Sequence, residues 1–134
     1  LNAISSKYPD NRVLQLVRTL KFWNRRAQTT TIPSYLFETM ILNFCGTYSL
    51  SEWIDFNLRD FWQHLQNSIY NEVPDPKNFQ GNLNTLSLAE KNSISQKSLN
   101  ASTKAIEAIR IETTDKDQQK AIKKWAEIFG DNFK

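Results

Sequence analysis

Between Ile54 and Ile69 the apolar residues Ile54, Leu58, Phe61, Trp62, Leu65 and Ile69 fall at i, i+4, i+7, i+8, i+11 and i+15. Only an α-helix gathers such a spacing onto one side, and a stripe of that width has to be buried against other elements. The remaining periodic stretches repeat the same rhythm, and none alternates as a half-buried strand would. Three Gly and four Pro among 134 residues leave few places for hairpin turns. The expected fold is therefore all-α, a bundle of about five helices forming a single helical domain over residues 1–134. Four Trp, four Tyr and eight Phe supply the bulk for a packed core.

The first helix is expected from Asp10 or Asn11, either of which can cap it, to about Arg26, after a lead-in over Leu1 to Pro9. Val13, Leu16, Val17, Leu20 and Trp23 form its apolar side. Arg18, Lys21 and Arg25, at i, i+3 and i+7, lie within about 60° of one another on another side. A polar connection, Gln28 to Thr31, leads to Pro33 near the first turn of a second helix. That helix carries Ser34 and Tyr35 at its start, then Leu36, Phe37, Met40, Ile41 and Phe44, with Gly46 as its stop. Ser49-x-x-Glu52 has the pattern of a capping box for the third helix, which should end near Tyr70.

Pro74, Pro76 and Gly81-Asn82 interrupt helical structure from Asn71 to Thr85. An aperiodic stretch of this length within a compact domain is a functional candidate. The spacing predicts a fourth helix from about Leu86 to Ile111, with burial concentrated at Ala105, Ile106, Ala108 and Ile109. A last helix, capped by Thr113 or Thr114, presents Ile122, Trp125, Ala126 and Phe129 and stops at Gly130.

Charge is unevenly laid out within the mild net +3. Residues 1–28 hold six basic and one acidic side chain, residues 29–90 two and seven, and residues 91–134 nine and six. That layout suits a local anionic ligand better than a nucleic-acid surface, which is usually basic throughout. Whether nucleic acid is a partner stays open. Cys45 and His64 are single residues of their type, so an internal disulfide is impossible and the usual Cys/His zinc spacings are absent. Both read as structural. No apolar run reaches about 18 residues and no signal-peptide pattern is present, so the expected setting is cytoplasmic, with no membrane partner. The start at Leu1 rather than Met fits a piece of a longer protein.

A cationic stripe, a hydroxyl, an aromatic ring and a helix start with its free N–H groups are the parts of a triphosphate site. Taken one at a time, each has a plainer reading. Lys21, Arg18 and Arg25 fit a solvated helix face; Tyr35 fits the core; Ser34 fits an ordinary first turn. Asp75 and Asn82 read as turn-formers. The Lys120, Lys123, Lys124 cluster reads as a solvated face near a helix end.

Several blocks in order carry a resemblance. Leu16-Val-Arg-Thr-Leu-Lys-Phe-Trp-Asn24 resembles the first long helix of the C-terminal lobe in the oligoadenylate synthetase and cyclic GMP–AMP synthase superfamily. Pro33-Ser-Tyr-Leu-Phe-Glu38 resembles the next helix start, and Asp75-Pro76 with Gly81-Asn82-Leu83 resembles a loop of that lobe. Trp125 to Phe133 is similar to the closing helix and tail of bacterial members, the CD-NTases. The resemblance implies the helical second lobe of a two-lobed nucleotidyltransferase, with a long Asp-Pro loop between helices three and four. Its partner would be an N-terminal catalytic lobe of the same protein, carrying a Gly-Ser motif and three carboxylates for Mg²⁺. This chain has neither; its one Asp-x-Asp, Asp115-x-Asp117, opens a late helix. The parent protein would make cyclic or linear oligonucleotide messengers from nucleoside triphosphates such as ATP, in anti-phage defence. This piece alone would bind no metal and catalyse no transfer. Matched by position, Lys21 would contact donor phosphates, Ser34 would lie near the terminal phosphate and Tyr35 would stack on a base, with Arg18 and Arg25 flanking. The His/Cys metal-binding insertion of the animal DNA sensor is missing. Two other functions fit the same pattern: a stand-alone helical module for RNA or protein, and the lobe of an RNA 3′-end nucleotidyltransferase.

Overall fold

The computed structural model describes residues 8, 10–26 and 30–130. Within them lie five α-helices and no strand: α1 (Arg12–Arg26), α2 (Ser34–Thr47), α3 (Ile54–Ser68), α4 (Leu88–Arg110) and α5 (Gln118–Phe129). The expected lead-in over residues 1–7 and Pro9, part of the connection at Gln28 and Thr29, and the tail beyond Gly130 lie outside the described residues.

The two strongest periodicities become the two faces of the core. Val13, Leu16, Val17, Leu20 and Trp23 of α1 are buried, as are Leu58, Phe61, Trp62 and Leu65 of α3 with Ile69 just beyond it. Aromatic rings join the helices. Trp23 lies 5.5 Å from Trp62 and 6.2 Å from Phe37, and Trp62 lies 5.8 Å from Phe129. Phe61 meets Phe37 and Phe44 edge-on. One aromatic cluster thus ties α1, α2, α3 and α5 together.

Helix ends differ from expectation where side chains find better partners. Ser49 and Glu52 do not cap α3. Instead the Asn57 amide grips Ser51 at both its backbone N–H and C=O, each at 2.8 Å, so the helix begins later, at Ile54. The capping box is at Ser87 and Glu90, opening α4. Asp117, not a threonine, caps α5 through Lys120 N–H. Helix α2 runs through Gly46 to Thr47, and Gly130 ends α5 with φ of 96°.

Helix α4 packs on α3 and α5, and its burial begins at Ile94 rather than only in its second half. Ile94, Ser98, Ala101, Ala105 and Ala108 form the buried stripe, at i, i+4, i+7, i+11 and i+14. Small residues let the helix backbones approach, and the buried hydroxyls of Ser98 and Ser102 bond to carbonyls one turn back. Ile106 falls off this stripe and is exposed, as is Ile122 on α5. One turn of π-helix, Ile111–Asp115, and Lys116 in the left-handed region close α4.

The segment between α3 and α4 is an ordered loop. Asn84 is its anchor: buried, it donates to the carbonyls of Ile69 at 2.7 Å and Asn71 at 2.8 Å. Asn82 Oδ1 accepts from the N–H groups of Val73 and Asn84, and Gly81 turns the chain with φ of 71°. Asn84→Ala strands two carbonyls where water is scarce, so it should destabilise the domain by about 2 kcal/mol. Urea unfolding checks this; an unchanged midpoint would contradict the anchor role.

Candidate functional site

Two of the sequence-selected residues, Ser34 and Tyr35, open α2. Pro33 precedes Ser34 and offers no side-chain acceptor, so no side chain caps the first turn of α2. Ser34 is exposed, and the Tyr35 ring beside it is half-buried. One turn on, Glu38 meets Lys21 of α1, Nζ to Oε1 at 3.8 Å. Tyr35 and Glu38 are three residues apart and so share a helix face.

Tyr35 reaches from α2 to the α3–α4 loop. Its hydroxyl donates to Asp75 Oδ1 at 2.7 Å. The Asp75 carboxylate also accepts three backbone N–H groups, from Lys77 at 2.9 Å and from Phe79 and Gln80 at 3.1 Å. Four donors converge on one buried carboxylate, so the loop is wrapped around Asp75 and latched to α2 by Tyr35. The Tyr35 bond, followed by the Lys77 bond, holds the Asp75 carboxyl below its ordinary range. The same bond to Asp75, with desolvation, pushes the Tyr35 phenol above its ordinary value.

Lys21–Glu38 and Tyr35–Asp75 thus give α2 a line of two polar contacts, one to α1 and one to the loop, with Ser34 preceding Tyr35 in the first turn. Arg18 and Arg25 are exposed and stand outside this line. Arg18 borders a separate groove with Arg12 and Glu52. Sequence reasoning passed over two neighbours. Glu38 lay inside a quoted block, but only its pairing with Lys21 gives it a part. Phe79 is 84% exposed, on the backbone that wraps Asp75. A bulky ring in an otherwise polar loop was the signal that could have singled it out.

His64 is half-buried against Phe44, Tyr48 and Phe61, and burial pushes its pKa down. Cys45 is fully buried. Among the described residues no group of three His, Cys, Asp or Glu converges where a metal ion could sit. Among them, too, no helix is long and apolar enough to cross a membrane.

An all-helical domain with a latched loop and a lysine beside an uncapped helix start is the class of structure defined so far. No family model matches this chain. It is similar to a probable cyclic nucleotide synthase of Bacillus cereus (strain VD146), 37% identical over 124 residues. That match takes in 92% of this chain, and the chain spans 37% of that protein's length. The likeness supports a relationship to the CD-NTases.

The latch makes a pH prediction. A carboxyl whose pKa is lowered by folding contributes stability above its unfolded pKa of about 3.9, lost as pH falls through the folded value. A phenol whose pKa is raised contributes stability below about 10, lost as pH rises beyond it. Tyr35→Phe removes the phenol effect and the Tyr35 share of the carboxyl effect, while the three backbone donors to Asp75 remain. In NMR titrations of this variant the Asp75 carboxyl should titrate at higher pH than in the parent; an unmoved titration would break the latch.

Proposed function

We propose that this chain is the helical lobe of a two-lobed nucleotidyltransferase and grips a nucleoside triphosphate through Lys21, Ser34 and Tyr35. The observation that carries the reading is the likeness to the probable cyclic nucleotide synthase of Bacillus cereus along almost the whole chain. The two polar contacts of α2, to Lys21 and to Asp75, supply its geometry.

Lys21 is half-exposed and its ion pair with Glu38 is long, so the pair contributes no more than about 1 kcal/mol. A triphosphate carrying several charges outcompetes one carboxylate for that ammonium. The uncapped first turn of α2 adds backbone N–H donors and the positive end of the helix dipole beside Ser34. Tyr35, steadied through its hydroxyl by Asp75, offers a ring on which a base can stack, a contact of about 1–3 kcal/mol. Arg18 and Arg25 act at longer range, raising the local positive potential.

In this reading the Mg²⁺ ligands belong to an N-terminal catalytic lobe of the same protein. Mg²⁺ there would screen phosphate charge and align the attacking hydroxyl. The part of this chain, in this reading, is binding and orientation. The product would be a cyclic or linear oligonucleotide messenger, and the setting a cytoplasmic anti-phage response.

Equilibrium binding of ATP and GTP to the complete protein tests the proposal. Lys21→Ala should weaken binding about tenfold, equivalent to about 1.4 kcal/mol. Tyr35→Ala should weaken it comparably, while Tyr35→Phe keeps the stacking ring and loses less. Unchanged affinity in Lys21→Ala would remove Lys21 from the site.

A further inference from the structure

On the far side of α1 from Lys21 a cleft of about 360 Å³ opens between α1, α4 and α5. Its walls include Trp23 and Arg26 of α1 with Gln96, Lys97, Asn100 and Lys104 of α4. Trp23 follows Lys21 by two residues, a rotation of about 200° around the helix, so the two side chains leave α1 in nearly opposite directions. We propose that this cleft is a second anion site, distinct from the Lys21 face, which seats a small phosphorylated metabolite through Arg26, Lys97 and Lys104.

Lys97 is the centre of the argument. Its ammonium sits 4.3 Å above the centroid of the Trp23 ring. Among the described residues no carboxylate lies within ion-pair distance of it. Burial pushes its pKa down to about 8. A ring face is a weak counter-charge compared with an oxyanion, and the partial loss of water sharpens the attraction for one.

Arg26 is already held in place. Its guanidinium donates to the Ile128 carbonyl at 3.1 Å and lies flat against Gly130, where a Cβ would come within 2.9 Å of it. Gly130 is favoured by its positive φ, and a Cβ there would have to push aside the end of the Arg26 side chain. The one carboxylate on the cleft wall, Glu127, is shared between Lys104 at 4.0 Å and Lys124 at 3.3 Å. The charged groups sharing the cleft wall with Lys97 are therefore Arg26 from α1, Lys104 from its own helix and Glu127 from α5, and the balance is positive. Convergent cations with amide side chains between them suit phosphate oxygens, which accept from both. Two or three cations match a diphosphate better than a monovalent carboxylate.

Inorganic pyrophosphate is the probe, titrated calorimetrically into the full chain at neutral pH and low salt. Because the Lys21 face can itself take phosphate, a binding step that persists in Lys21→Ala is expected. In that background Lys97→Gln and Arg26→Gln should each weaken it about tenfold, and Lys97→Arg should retain it. If Lys97→Gln fails to fold, Lys104→Gln and the NMR titration of Lys97 in the unmodified chain decide. Bound pyrophosphate should return the Lys97 ammonium towards its ordinary pKa. Absence of binding, or binding that Lys21→Ala abolishes and the cleft variants leave intact, would overturn the proposal. That second pattern would leave the nucleotide reading of Lys21 standing, so the two readings fail separately.

Discussion

Everything in this fold depends on how Trp23 is packed. Its ring is buried, touching Phe37 of α2 on one side and Trp62 of α3 on another, and Trp62 continues the contact to Phe129 of α5. A large aromatic surface removed from water contributes several times what any exposed ion pair does. With that ring fixed, the rotation of α1 about its own axis is fixed as well. Lys21 must then point towards α2, and the Trp23 ring must be available for the ammonium of Lys97. Two basic features on opposite sides of one helix follow from a single hydrophobic junction.

Polar interactions add precision to that frame. The Lys21–Glu38 pair is half-exposed and weak, suited to exchange with a competing anion. The Tyr35–Asp75 bond is short, and its carboxylate is buried under three further donors, suited to holding a loop still. The candidate site therefore combines one replaceable contact with one fixed contact. That division is what a binding face needs: a scaffold that does not move and a charge that can change partners.

The helices were legible because period-3.6 stripes on α1 and α3 are dictated by burial, and burial is what the fold satisfies first. Helix starts were less legible. Ser49-x-x-Glu52 and Ser87-x-x-Glu90 carry the same pattern, and only the Asn57 amide, bonding to Ser51, decides that the first is not used. On α4, serines in a polar stretch looked solvated, yet Ser98 and Ser102 are buried because each hydroxyl satisfies itself on a carbonyl of the previous turn. For the candidate site, Lys21 and Ser34 followed from local spacing and resemblance. The Tyr35–Asp75 latch spans 40 positions and could not be read from either end alone. Lys97 was hidden for a similar reason: among Ser, Asn and Gln it resembles any solvated lysine, until the fold lays it on Trp23.

The central claim is that the face at the start of α2, held by the Trp23 junction, receives a nucleoside triphosphate. Photo-crosslinking the complete protein with 8-azido-ATP, followed by mass-spectrometric mapping, tests it most directly. The account predicts adducts on peptides containing Tyr35 or Phe79, suppressed by excess unlabelled ATP. Competable adducts confined to other surfaces of this domain, with none on those peptides, would contradict it.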